Sequence, residues 1–144
     1  MSAADPFDLA RFVSAQRDTF DRALSEVERG RKTSHWMWYI FPQLRGLGHS
    51  ATAKRYGIRG AEEAEAYLQH ELLGSRLIAI SEAVVAVEGR SAREIFGTPD
   101  DLKLHSSATL FAHVSEPGSV FHKVIDKYFD GQFDQQTLHL LSDS

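Results

Sequence analysis

The chain predicts an all-α fold: one compact, irregular bundle of about seven or eight helices over residues 1–144. Three observations lead there. Apolar residues recur at three- and four-residue steps along most of the chain, and no stretch alternates apolar with polar residues between turn signals. Helix-start and helix-stop residues punctuate those stripes at short intervals. The Asp130-Gly131 pair follows a helical pattern instead of joining two β-branched runs, and no long Gly/Ser/Pro linker or internal repeat divides the chain.

Taken in order, Asp5-Pro6 pairs an N-cap with a proline at the first helical position, where its missing N–H costs nothing. Leu9, Val13, Gln16, Phe20, Leu24 and Val27 then continue one stripe to Gly30, a left-handed stop. The polar Gln16, followed by Asp18-Thr19, predicts a break near 16–18. Ser50 caps a short segment, ATAKRYGI, and Gly60 precedes AEEAEAYLQH, whose glutamates suit an N-terminal turn. Leu73, Leu77, Ile80, Val84 and Val87 define the strongest stripe, a helix over 72–87 ended by Gly89. Ser91-x-x-Glu94 has the form of a capping box. Thr98-Pro99-Asp100-Asp101 supplies a cap, a first-turn proline and acidic residues before LKLHSSATLFAHV. A helix with Val120, Phe121, Val124, Ile125, Tyr128 and Phe129 on its apolar face follows Pro117, and TLHLL after Asp134 closes the chain.

Composition narrows the function classes. With 42% hydrophobic and 25% charged residues the chain has the makeup of an ordinary globular domain. It contains no cysteine, so thiolate catalysis, disulfides and zinc–thiolate sites are excluded. Charges at Asp5, Asp8, Arg11, Arg17 and Asp18 exclude an apolar signal core, and no uncharged span of about eighteen residues exists to cross a membrane. A cytoplasmic protein with no membrane partner is expected. A net charge of −4 and a pI near 5.9 disfavour nucleic acid as partner.

The segment RKTSHWMWYIFPQLRGLGHS, residues 31–50, holds both tryptophans between basic residues and glycines. Arg31 and Lys32 precede Thr33 and Ser34, either of which can cap a helix starting at His35. Unpaired N–H groups at such a terminus, beside basic side chains, suit a phosphate or carboxylate; the alternative is a solvated basic surface and a plain cap. Rings at 36, 38, 39 and 41 spread over more than one helical face, and Pro42 pushes Phe41 toward an extended conformation. Trp36 or Trp38 then either stacks on a ligand or fills the core. His35 and Gln43 need polar partners if buried. Gly46 and Gly48 lack the third glycine and preceding strand of a dinucleotide fingerprint, so they mark a tight turn.

Residues 101–111 form the second informative stretch. Leu104, Ser107, Ala108 and Phe111 share one face, which places Ser107, with Ser106 beside it, among core residues. Those hydroxyls either bond back to carbonyls in close helix packing or join Lys103 and Thr109 in a polar pocket. Seven histidines invite a metal, but none shows the spacing with an attendant carboxylate that helical zinc motifs use. No metal or cofactor is expected, and no nucleophile elbow, Walker loop or EF-hand is present.

The runs DPFDLARFVSAQ, GRKTSHWMWYIFPQLRGLGHS and IFGTPDDLKLHSSATLF resemble the DUF1810 family, small bacterial and fungal proteins of undetermined function sometimes labelled calpastatin-like. The resemblance covers nearly the whole chain and implies a single helical domain, with no established activity. His105 stands where an arginine is common in the family, and Ala108 where a methionine is common.

Together these readings predict a small-molecule site between residues 31–50 and 101–111 that takes an anionic ligand, a nucleotide or phosphorylated metabolite. Arg31 and Lys32 supply charge, Ser34 and His35 hydrogen bonds, Trp36 or Trp38 a stacking surface with Gln43 beside it, and Lys103, Ser106 and Ser107 the opposite wall. If the site is catalytic, as in a hydrolase or transferase, His35 is its general acid/base. The competing expectation is a non-catalytic protein-interaction module using rings of the 36–41 run or the Phe121/Phe129 face. Oligomeric state is not readable from these features.

Overall fold

The structure, a computed structural model, describes residues 4–142. Among them are ten helices: α1 (Ala10–Gln16), α2 (Phe20–Glu28), α3 (Met37–Ile40), α4 (Ala51–Tyr56), α5 (Ala61–Gln69), α6 (Glu71–Ala86), α7 (Ala92–Phe96), α8 (Asp100–His113), α9 (Val120–Tyr128) and α10 (Gln135–Ser142). The all-helical expectation holds, with more helices than the seven or eight expected. Residues 17–19 break the first stripe, and Pro42 confines the aromatic segment to the single turn of α3. The described residues contain one isolated parallel bridge, Leu44 with Ile58, and no strand.

Local signals act much as chemistry dictates, with shifts of a few residues. Asp5 accepts hydrogen bonds from the N–H groups of Leu9 (2.8 Å) and Ala10 (3.0 Å), yet Pro6 and Phe7 form a turn and α1 opens only at Ala10. Gly30, at φ +75°, is the left-handed stop after α2. Ser91 and Glu94 form the full capping box of α7.

The long α6 is the central post. Its buried Leu73, Leu77, Ile80 and Val84 meet α2, α5 and α9, while α8 packs against α5, α7, α9 and α10. Gly74 makes the α5–α6 junction possible, because a Cβ there would lie 2.1 Å from the Leu68 carbonyl oxygen. In contrast, α4 buries none of its residues and makes its main helix contact with α3. Among the described residues no helix is long and apolar enough to cross a membrane.

Candidate functional site

The basic run at 31–34 wraps around a carboxylate that sequence reasoning passed over. Glu26, 1% exposed on α2, accepts hydrogen bonds at Oε1 from the N–H groups of Thr33 (2.7 Å) and Ser34 (3.0 Å) and from the Trp36 indole (2.9 Å). Its Oε2 accepts from the Ser34 hydroxyl at 2.6 Å. Burial by itself would raise the Glu26 carboxyl, but the Ser34 hydroxyl, Thr33 N–H, Trp36 indole and Ser34 N–H together hold it at about 2. The donors expected to meet an external anion are therefore taken by an internal one. Helix α3 also starts at Met37, two residues later than the terminus expected at His35.

Two further expectations are corrected here. Trp36, 0% exposed, packs edge-on against Phe96 at 6.4 Å between ring centroids, so it fills the core and cannot stack on a ligand. Ser34 serves Glu26 and not a ligand. Arg31 is exposed, and among the described residues it forms no ion pair; its backbone N–H donates to the Glu26 carbonyl at 3.0 Å. The His35 side chain is exposed beside the segment, outside the recess described next.

Lys32 and Lys103 converge from opposite segments on one carboxylate. The Asp100 side chain lies 2.9 Å from the Lys32 ammonium and 3.4 Å from that of Lys103. Two cations against one anion leave a single positive charge. Lys32 sits 5.0 Å from the centroid of Trp36, whereas Lys103 sits 4.9 Å from that of the half-buried Trp38.

Beside Lys103 opens a recess beneath α4, lined by Trp38, Gln43, Tyr56, Phe41, Ala53 and Gly57 among others. It is narrow: only about 10 Å³ of it admits the centre of a water. That is room for one water molecule. The Gln43 side-chain amide lines the recess and hydrogen-bonds to no described residue, although its backbone carbonyl accepts from the Ile58 N–H at 3.0 Å. Three of the predicted residues, Trp38, Gln43 and Lys103, thus meet at one place.

Ser106 and Ser107 do not form the expected opposite wall. The Ser106 hydroxyl shares its one proton between the Leu102 carbonyl (3.1 Å) and Asp134 (3.2 Å), and the Thr109 hydroxyl accepts from the Asp134 N–H (2.9 Å). Asp134 also accepts from the N–H and hydroxyl of Thr137. The hydroxyl row on α8 therefore docks the start of α10. Ser107, 1% exposed, stays in the core outside the recess. His105 stacks on Phe129 at 4.1 Å and bonds the Gln132 carbonyl, so it too lies apart from the recess.

The rings expected to form a partner patch are largely internal: Phe121 is buried, Phe129 half-buried under His105, and Phe41 and Trp36 buried. The exposed large apolar residues among the described ones are Leu72, Ile78, Leu102 and Phe133, none of them in the 36–41 run or on the Phe121/Phe129 face.

Comparison with known proteins agrees with this architecture. The crystal structure of the conserved hypothetical protein Rv1873 from Mycobacterium tuberculosis is 54% identical, with a TM-score of 0.94 over 96% of this chain and 99% of that one. No match was found among curated proteins. The family model described as a protein of unknown function, DUF1810, matches residues 6–141. Spanning nearly the whole chain, that match places the protein in the DUF1810 family.

Proposed function

We propose that the protein binds a small anionic molecule, of the phosphorylated-metabolite or nucleotide kind, in the recess beneath α4. One observation carries the reading: Lys103, distant in sequence from Trp38 and Gln43, converges with them on that recess, and the Gln43 amide there has no hydrogen-bond partner among the described residues. Lys103 carries the surplus charge of its cluster, Gln43 offers two donors and an acceptor, and Trp38 and Tyr56 supply ring surface. A pocket for a drug-sized ligand needs about 300 Å³ or more, so such a ligand enters only if α4 lifts. The absence of buried residues on α4 favours that movement.

The reading is one of binding, without an assigned reaction. His35 would have to swing into the recess to act as general acid/base, and the residues that line it bring no nucleophile paired with a base. The interaction-module reading has less support, since Trp36, Phe41 and Phe121, rings it would present to a partner, are buried.

Thermal-shift titration with phosphorylated sugars and nucleotides tests this. A ligand at about 100 times its Kd contributes about 2.7 kcal/mol, or roughly 5–10 °C in Tm for a domain of this size. The expected result is such a rise, abolished in Lys103→Ala. No rise with any of these anions, or a rise of equal size in Lys103→Ala, overturns the reading.

A further inference from the structure

On the other side of α4 the chain builds a depression of opposite character. Arg11, Arg45, Lys54, Arg55 and Arg59 line a cleft of about 190 Å³ with Asp8 as its acidic member. It adjoins the recess, since Gly57 contributes to both. Five cations face two carboxylates, Asp8 and the buried Glu63 behind them, a local surplus of three charges in a chain whose net charge is −4.

The five cations divide by role. Arg11 is structural: it pairs with Glu63 at 2.8 Å and donates to the carbonyls of Phe7, Asp8, Arg55 and Gly57. Arg59 also pairs with Glu63, at 3.0 Å. Arg45, Lys54 and Arg55 have no ion-pair partner among the described residues. Two of them have contacts that position them. The Arg45 N–H donates to the Ile58 carbonyl at 2.7 Å, and Gly57 lies so close that a Cβ there would sit 2.9 Å from the Arg45 Cα. Arg55 spans the cleft wall, with its carbonyl held by Arg11 and its guanidinium 5.5 Å from the Tyr56 ring centroid. Five cations gathered in a concavity with one lining carboxylate, Asp8, still repel one another, an arrangement relieved by a bound anion.

We propose that this cleft is an anion site for a compact oligophosphate, a ligand with two or three linked phosphoryl groups. Arginine forks match phosphoryl oxygens, and three cations without an ion pair around a short cleft match that ligand's charge and size. A long polyanion such as nucleic acid is disfavoured, because the chain outside the cleft carries a net negative charge. Apart from Gly57 the cleft and the recess have no lining residue in common, and Lys103 belongs to the recess alone.

Calorimetric titration of the full chain with inorganic tripolyphosphate at low ionic strength provides the test. The expected result is saturable one-site binding, weaker for monophosphate and reduced about tenfold or more in Arg45→Gln/Arg55→Gln, through loss of two charge-assisted contacts. Lys54→Gln, exposed on α4, is expected to weaken it as well. Lys103→Ala is expected to leave it unchanged, which separates failure here from failure of the recess. Absent binding, or binding indifferent to the arginine substitutions, overturns the proposal. So does loss in Lys103→Ala, which puts the anion in the recess, or an affinity that climbs with oligonucleotide length, which makes the partner nucleic acid.

Discussion

Replacing Glu26 by glutamine tests the internal-anion reading of residues 31–36. The substitution keeps an oxygen for Thr33, Ser34 and Trp36 but turns Oε2 into an amide nitrogen, so the Ser34 hydroxyl must reverse and the bonds lose their charge. The magnitude follows from titration: a carboxyl held at about 2 against an ordinary 4.5 is stabilised in the fold by roughly 3 kcal/mol at about 1.4 kcal/mol per pH unit. Because the folded value lies below the unfolded one, that stability is present above about pH 4.5 and is lost as pH falls toward 2. Urea denaturation of wild type and Glu26→Gln between pH 2 and 7 is the assay. The expected gap is about 3 kcal/mol at pH 7, shrinking steadily below pH 4.5. Asp5, held low by the Ala10 and Leu9 N–H groups, and Glu94, held low by Ser91, titrate in both proteins and drop out of the difference. A variant as stable as wild type at pH 7, or a gap that does not change with pH, refutes the reasoning.

Two further substitutions probe how the bundle is held. Gly74→Ala drives a Cβ into the Leu68 carbonyl, a backbone clash that cannot rotate away, so a loss of about 3 kcal/mol and a Tm lower by roughly 10 °C are expected in calorimetry. Asp134→Ala removes the acceptor that ties Ser106 and Thr137 to the start of α10, at a cost of about 1–2 kcal/mol. Hydrogen exchange should then speed up in α10 while the α6 amides stay protected; uniform loss of protection across both would contradict the local docking role.

Stripes and caps made the helices legible because they are local. The 72–87 stripe appears as α6, the Ser91/Glu94 box caps α7, and the polar Gln16 marks the end of α1. Gln16 earns its buried place through partners no local rule reveals, the Tyr39 carbonyl at 2.7 Å and the Tyr67 hydroxyl at 2.9 Å. Glu26 escaped for the same reason. It lies three residues from the buried Ala23 and next to Val27, a position on the inward face that was its one local clue, and its donors come from the following loop. At the site, residue types singled out Trp38, Gln43 and Lys103, but side-chain direction separated Trp38 from Trp36. The basic cleft was the least legible feature, since Arg11, Arg45 and Arg55 come together only through the 44–58 bridge and α1.

The recess is tested most directly by following the two indole N–H signals and the Gln43 side-chain amide in ¹⁵N-correlated NMR spectra during titration with small anionic fragments. Binding beneath α4 predicts that Trp38, Gln43 and Gly57 shift with a common saturation curve, that the buried Trp36 indole stays fixed on Glu26, and that Lys103→Ala abolishes the shifts. Fragments that leave Trp38 and Gln43 unmoved, or that move them equally in Lys103→Ala, would contradict it.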